Sequence, residues 1–410
     1  MAGLDGDALF HAWSPYAAIV TILQQYGVAT RCIMTSEERR EARFQRRKSQ
    51  RLLKKQQLHA AHDDFAEVFS YEHLYKAYKK CRLGVAWKSS TQKYTANAPI
   101  NVYETRKKLM SGKFKSSGFY EFDVYERGKK RHIQSVTINE RVVQRCLCDN
   151  ALVPMVGRTF VYDNGASMMY KGYDFAIHRM ACHLQRHYRK YGTEGYILLF
   201  DFSKFFNRVS HTVTKAIFRK EFTDQRIIAL SDHFVDAFGD VGLGLGSQIS
   251  QVMALASANR LDHMCKEILR IKGYGRYMDD GYLIHHSKEY LHHCLEKIKE
   301  ICNELGITLN EKKTQIVKLT HGFTFLKARF FLLPSGRIVK KIYKRSVTKM
   351  RQKLKKFKGL VDTGKIALAD VAVSVTCWIA YALKFNAWHT VQNIKQLFYR
   401  LFPNQEVLHV

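Results

Sequence analysis

The sequence predicts an α+β chain in which an antiparallel sheet carries clustered carboxylates and a helical region closes the C-terminal end. Three observations predict it. Tyr277-Met278-Asp279-Asp280, between Gly273-Tyr274-Gly275-Arg276 and Gly281-Tyr282-Leu283-Ile284, reads as a β-hairpin. Asp201 ends the apolar run Tyr196-Ile197-Leu198-Leu199-Phe200, a strand that turns towards helix at Phe202-Ser203-Lys204-Phe205-Phe206. Beyond residue 330, Val347, Met350, Leu354 and Phe357 fall on one helical face while Lys349, Arg351, Lys353, Lys355, Lys356 and Lys358 crowd the others.

The segment through Ile33 has an apolar stretch around Tyr16 to Tyr26 but no basic start, apolar core and small-residue cleavage site in succession, so it does not read as a signal peptide. Translation starts at Met1 or Met34. Ser36 reads as a helix cap, with Glu37 and Glu38 in the first turn and arginines and lysines beyond, giving a solvated helix or an RNA-binding arm. Helix and strand mix from about Phe65 to Glu194. Within that interval Tyr120-Glu121-Phe122-Asp123-Val124-Tyr125 alternates, Arg127-Gly128-Lys129 turns, and Arg131-His132-Ile133-Gln134-Ser135-Val136 is again extended, a basic hairpin. Ile138 to Leu147 has helical apolar spacing. Cys294, Leu295, Ile298, Ile301, Cys302 and Leu305 mark an amphipathic helix beneath the sheet, stopped at Gly306.

The chain has 410 residues, with Lys+Arg 67 against Asp+Glu 36 and a formal charge of +31. Such an excess calls for a polyanionic partner. Nucleic acid fits better than a membrane surface, since no apolar run reaches the roughly 18 residues of a transmembrane span. The 9 cysteines are scattered without a C-x-x-C pair, which argues for a reducing compartment and against zinc. Cys146 and Cys148 read as buried thiols, and His285-His286 and His292-His293 as solvated surface, adjacent side chains pointing different ways.

Adjacent aspartates repel unless a cation compensates them, and oxygen ligands suit a hard divalent ion. An isolated Asp-Asp-Gly is an ordinary turn signal. Asp201 and the glycine-rich segment between the two elements turn the reading towards a metal site for phosphoryl transfer.

At these residues the chain resembles the palm of reverse transcriptases. Asp201 stands where that family has its first catalytic aspartate, and Tyr277-Met278-Asp279-Asp280 matches its signature tetrapeptide. Between them, Gly242-Leu243-Gly244-Leu245-Gly246-Ser247-Gln248-Ile249-Ser250-Gln251 looks like the segment that grips template and primer. The pattern from Leu245 to Gln251 is similar to that of diversity-generating retroelement enzymes, whereas group II intron enzymes carry Pro-Gln-Gly and Ser-Pro there. The resemblance implies an α+β right-hand fold: a basic extension over 1–64, fingers over 65–195 with part of 208–245, a palm over 196–330 and a helical thumb over 331–410.

The resemblance also implies roles. Asp201, Asp279 and Asp280, with the backbone carbonyl of Phe202, would hold two Mg²⁺ ions, with Mn²⁺ as a substitute. Lys313, or Lys312 one register away, would protonate departing pyrophosphate. Lys130, Arg131 and Arg141 would clamp the incoming triphosphate; the competing reading is a basic strand on template backbone, or an internal ion pair for Arg141. Phe206, five positions after Asp201, would exclude a ribose 2′-hydroxyl or else be plain core. Leu245 and Gly246 would lie against the nucleotide. Ser250, Gln251, Tyr277, Met278, Phe325, Leu326 and Lys327 would contact template or primer, Lys327 replacing the family's usual glycine. Ser374, Trp378, Tyr381, Lys384 and Asn386 resemble a thumb pattern of retroelement enzymes.

The expected activity is RNA-directed DNA synthesis from dNTPs on a template RNA with a primer duplex, in the cytoplasm of a bacterial host cell. A diversity-generating retroelement would add a small basic accessory protein. A phage or bacterial antiviral-defence enzyme using a dedicated noncoding RNA, and a nonpolymerising RNA-binding scaffold, are the alternatives. Neither a ribonuclease H nor an endonuclease module is expected.

Overall fold

The run Ile197-Leu198-Leu199-Phe200 is buried on both faces because it forms an inner strand. In the computed structural model, which describes residues 35–126 and 129–403, β3 (Tyr196–Asp201) lies in a four-stranded antiparallel sheet with β4 (Gly273–Tyr277), β5 (Asp280–His285) and β6 (Gln315–Lys318), in the order β4-β5-β3-β6. The apolar stretch before Met34, the initiator and the Arg127-Gly128 turn lie outside the described residues.

Side chains alternate across a strand, so Ile197 and Leu199 with Tyr282 and Ile284 meet Ile177, Met180 and Leu184 of α5 (Tyr173–Tyr191). The opposite face packs on α9 (Lys288–Glu304), whose Cys294, Ile298, Ile301 and Cys302 are buried as the helical spacing anticipates. Each fully buried aliphatic side chain contributes about 1.5–3 kcal/mol. This packing makes the sheet a rigid floor for residues at its ends.

The basic hairpin β1 (Tyr120–Glu126) and β2 (Lys129–Ser135) pairs in antiparallel register from Tyr120↔Ser135 to Glu126↔Lys129. It lies between helices α2 (Tyr71–Cys81) and α3 (Ala98–Met110) on one side in sequence and α4 (Ile138–Leu147) on the other. Thr137 caps α4 by accepting from Glu140 N. Further on come α6 (His211–Glu221), α7 (Gln225–Asp236) and α8 (Gln248–Ser257). A second sheet, β7 (Phe323–Phe325), β8 (Ala328–Leu332) and β9 (Ile338–Ile342), leads into α10 (Lys344–Asp362), α11 (Leu368–Ala382) and α12 (Trp388–Leu401). The last three helices have their own core, including Met350, Leu354, Val375, Ile379, Ile394 and Phe398.

The described residues divide into two units between Leu58 and His59. The described residues of the first belong to helix α1 (Ser36–His62) and its cap; the helix buries no residue. Its cap is Thr35 rather than Ser36. Thr35 Oγ1 accepts from Glu38 N at 3.2 Å while Glu38 Oε2 accepts from Thr35 N at 2.7 Å, a reciprocal box that a Thr-x-x-Glu spacing favours.

One of the paired histidines also differs from expectation. His286 is exposed but His285 is half-buried, and their rings meet tilted by 38° with centroids 4.2 Å apart, because β5 ends at His285 and strand alternation lapses there. His292 and His293 are exposed as expected, and Cys146 and Cys148 are buried, burial pushing the Cys146 thiol up to about 12. Among the described residues no helix is long and apolar enough to cross a membrane.

Candidate active site

The hairpin turn falls at Met278-Asp279, not at Asp280-Gly281. Tyr277 pairs with Asp280, and Gly281 pairs with Arg276 inside the ladder. Gly281 is required by packing: a Cβ there would come within 2.1 Å of the Phe200 ring. Met278 instead takes the positive φ, 54°, a conformation that costs a non-glycine residue about 1–3 kcal/mol and persists only where surroundings impose it.

Arg276 imposes it. Its side chain is fully buried, and its Nη1 donates to Met278 O at 2.8 Å. Nε and Nη2 donate to the two oxygens of Asp262 at 2.7 and 2.6 Å, and Nη2 also donates to Leu255 O at 3.1 Å. Tyr274 gives its hydroxyl to the same carboxylate. One guanidinium thus ties the turn to the end of α8 and to the following helix. The planar fork of arginine suits a two-oxygen partner, and a second anchor at a carbonyl uses its remaining donor.

Asp201 and Asp280 are register partners at the ends of β3 and β5, and Asp279 is the turn residue that precedes Asp280. Phe202 N donates to Asp279 O at 3.1 Å, so the tip of the hairpin is fixed to the chain just past Asp201. Burial, with the charges of Asp279 and Asp201, raises the Asp280 carboxyl to about 7, against the pull of Lys313; Asp280 also shares a hydrogen bond with Asp201. Burial and the Asp201 charge raise Asp279 as well, opposed by Lys313 and Arg131. Like charges so crowded favour a proton or a cation among them.

Lys313 reaches this cluster. Its Nζ lies 2.7 Å from Asp201 Oδ1, while Asn310 Nδ2 donates to Asp201 Oδ2 at 3.1 Å and Asn310 N to Asp201 O at 2.7 Å. Burial lowers the Lys313 ammonium, but the hydrogen bond and charge of Asp201, then Asp280 and Asp279, outweigh it, so the net shift is upward. Among the described residues no three metal-ligating side chains already converge as a set. The donors are hard oxygens of the right kind, and both oxygens of Asp201 are engaged by Lys313 and Asn310. A divalent cation held here would displace the lysine contact.

A cleft of about 680 Å³ opens over Asp201, Asp279 and Lys313, with Lys130, Arg131 and His132 of β2 on its opposite wall. Phe206 and Leu245 line it too. Phe205 is the buried one of the Phe-Phe pair and Phe206 the half-exposed one, so the core role falls to the neighbour. Lys130 is paired across the ribbon with Asp123 at 2.9 Å.

The glycine-rich segment is pinned by its backbone. Gln134 N donates to Leu245 O at 3.0 Å and Leu243 N to Phe206 O at 2.6 Å. Gly242 and Gly246 adopt φ of 89° and 116°, and a Cβ at Gly242 would lie 2.8 Å from Asn207 O. A polar relay holds the far side: Ser247 Oγ donates to Gln144 Oε1 (3.0 Å), Gln144 Nε2 to Glu140 Oε1 (3.2 Å), and Ser117 N to Glu140 Oε2 (2.9 Å).

Several residues chosen from the sequence lie elsewhere. Arg141 does not line the cleft; its Nη2 donates to Ser135 Oγ at 2.7 Å, at the base of the hairpin, and among the described residues it makes no ion pair. Ser250 is buried at 1% exposure on the inner side of α8, and only Gln251, which accepts from Ser167 Oγ at 3.2 Å, faces outward. Phe325 is core, edge-on to Tyr282 at 5.0 Å, and Tyr277 and Leu326 pack against the same cluster. Leu326 and Lys327 form the β7–β8 turn with φ of 47° and 65°, so Lys327 sits where a glycine is comfortable. In the C-terminal helices, Lys353 donates to Ser374 Oγ (2.8 Å), Trp378 Nε1 to Ser346 Oγ (3.3 Å), Lys384 pairs with Asp174 (2.7 Å) and Asn386 Oδ1 accepts from Lys340 N (2.9 Å).

Arg276, Asp262 and Asn310 were not assigned by sequence reasoning. A signal existed for the first: Arg276 shares strand parity with Tyr274, on a strand flanked by apolar residues, where a charge needs a buried partner.

Sheet, hairpin carboxylates and cleft define a polymerase of the right-hand class. Residues 115–330 match the reverse transcriptase (RNA-dependent DNA polymerase) family, and the chain belongs to that family, an RNA-directed DNA polymerase by enzyme class. No curated protein matches the chain. Among solved structures it is similar to telomerase from Candida albicans in complex with a fragment of telomeric RNA, at 12% identity and a TM-score of 0.43, covering 71% of this chain and 64% of that one. It is similar also to apo telomerase from Candida tropicalis, at 13% identity and 0.43, covering 70% and 58%. A C-terminally truncated form of the latter gives 13% and 0.43, covering 54% of each. The chain thus spans less than two thirds of each of these relatives.

Proposed function

We propose that this cleft extends a primer on an RNA template by nucleotidyl transfer at Asp201, Asp279 and Asp280. The observation that carries the reading is that Asp201 and Asp279 line one cleft with Lys130 and Arg131, while Asp280, register partner of Asp201, adds its charge beside them. Asp201, Asp279 and Asp280, with the Phe202 carbonyl, would hold two Mg²⁺ ions, or Mn²⁺ in their place. When bound, such ions supply an activated 3′-hydroxyl and charge neutralisation at the leaving pyrophosphate.

The chain's own residues position and neutralise. Arg131 and Lys130 face the carboxylates across the cleft and bind triphosphate oxygens, Lys130 leaving Asp123 to do so. Lys313, charged and freed from Asp201, donates a proton to the departing pyrophosphate. Phe206 closes the sugar side against a 2′-hydroxyl, and the backbone at Leu245 and Gly246 abuts the nascent pair. Gln251, Met278 and Lys327 contact template or primer. The 331–410 helices hold the duplex as a thumb, α10 presenting its basic face.

The pattern from Leu245 to Gln251 supports a diversity-generating-retroelement-like enzyme, with a template RNA, dNTPs and a small basic accessory protein as partners. Primer extension on an RNA template with Mg²⁺ and dNTPs tests the chemistry, beside Asp279→Ala/Asp280→Ala. DNA product lost in the variant supports the reading. A folded wild-type protein that yields none, on generic template or on its co-purified RNA, overturns it. Sequencing that RNA separates a repeated target from a dedicated noncoding RNA of the defence type.

A further inference from the structure

Helices α2 and α3 pack together through Leu74, Ala77 and Tyr78 on one and Val102, Thr105 and Leu109 on the other, all buried. Their apolar requirement is met by that face. Even so, Tyr71, Tyr75 and Tyr103 stand on the outer surface, 47%, 37% and 50% exposed. Tyr71 and Tyr75 are four residues apart and so share one side of α2. The Tyr71 and Tyr103 rings are parallel within 4°, with centroids 6.0 Å apart.

Cations are built into the same surface. The Arg106 guanidinium lies 4.6 Å over the Tyr71 ring and is anchored by its Nε donating to Phe69 O at 3.2 Å. Lys79 Nζ lies 4.9 Å over the Tyr75 ring. Residues 71–110 hold nine Lys and Arg against two Glu. None of these tyrosines lines the catalytic cleft, and none of their hydroxyls has a hydrogen-bond partner among the described residues.

From this arrangement we infer that the α2–α3 face is a docking platform for single-stranded RNA, outside the catalytic cleft. Exposed rings offer bases a stacking surface, fixed cations neutralise phosphates, and unpaired phenol hydroxyls both donate to and accept from a ribose 2′-hydroxyl. Dense positive charge around the rings selects a polyanion over an apolar protein surface. The inference rests on the RNA-copying reading above and adds a second place where that RNA is held.

The test measures binding of a labelled unstructured RNA of about 30 nucleotides, and of DNA of the same sequence, to full-length protein, with ultraviolet cross-links mapped by mass spectrometry. Stacking on an aromatic side chain is worth about one to two powers of ten in affinity, so Tyr71→Ala/Tyr103→Ala should bind RNA roughly 10- to 100-fold more weakly, and Tyr71→Phe/Tyr103→Phe far less so. Arg106→Gln, which leaves both rings in place, should reduce the salt slope by about 0.7 and serves if the double alanine variant fails to fold. Cross-links should fall in the peptides carrying Tyr71 and Tyr103. Extension of a short pre-annealed RNA–DNA hybrid, measured alongside, should be unchanged in the tyrosine variants; its absence in wild type counts against the polymerase reading and leaves the binding result standing. Unchanged RNA affinity, cross-links confined to the cleft, equal binding of DNA, or loss of a protein partner without loss of RNA would each overturn the platform.

Discussion

Replacing Arg276 separates its two tasks, holding a buried carboxylate and holding the turn that carries Asp279. Arg276→Met leaves Asp262 buried without its counter-charge, which costs about 3–5 kcal/mol when one partner of a buried pair is removed. The carbonyls of Met278 and Leu255 also lose their donor, at about 1 kcal/mol each. The sum, on the order of 5–7 kcal/mol, is comparable with the whole stability of an ordinary domain, about 5–15 kcal/mol. Arg276→Met/Asp262→Leu removes both charges, and an apolar replacement of a buried pair is often neutral, so stability should return to within about 2 kcal/mol of wild type. The tether to Met278 O is still missing. A loosened turn displaces Asp279 and Asp280, and misplacement by about 1 Å costs on the order of 100-fold in rate. Urea unfolding followed by tryptophan fluorescence, with primer-extension kcat on the same preparations, reads the two effects apart. A double variant as unstable as the single one would refute the ion-pair account. Recovery of kcat together with stability would refute the tether.

Phe206→Val should admit ribonucleotides, lowering discrimination between dNTP and rNTP by roughly 10- to 100-fold in kcat/KM; unchanged discrimination places the gate elsewhere. Lys327→Gly relieves a left-handed backbone costing about 1–2 kcal/mol, partly offset by glycine's greater chain entropy, and should raise the unfolding free energy by a net of about 0.5–1 kcal/mol, read as a higher urea midpoint. Asp63 accepts from Thr223 N and Oγ1 at 2.8 and 2.7 Å and from Asp224 N at 3.0 Å, with His59 Nδ1 at 2.8 Å. Burial raises its carboxyl, but the bonds from Thr223, Asp224 and His59 outweigh this and hold it below the usual range. Because its folded value is depressed, its contribution is complete above the unfolded value near 3.8 and is lost as pH falls through the lower folded value. Asp63→Asn should therefore cost about 1–3 kcal/mol at neutral pH and flatten the acid limb of the stability profile; an unaltered limb would assign acid unfolding to other carboxylates.

The local order of this chain was written in its sequence. Alternation and helical spacing located β3, the carboxylate hairpin, the basic ribbon and α9, because each depends on side-chain period within a few residues. The spacing of Asp201 from Asp279 and Asp280 likewise pointed to one site, since a sheet brings strand ends together. What the sequence did not determine is which side of an element meets a neighbour. Ser250 and Phe325 carry suitable chemistry and turn inward, Arg141 bonds Ser135 at the hairpin base, and the turn falls two residues earlier than Asp-Gly suggests, Gly281 serving instead to make room for the Phe200 ring. Tertiary packing alone joined Arg276 to Asp262, Leu255 and Met278. A long-range pair has no period to betray it, and its energy comes from the exclusion of water that only the assembled core provides.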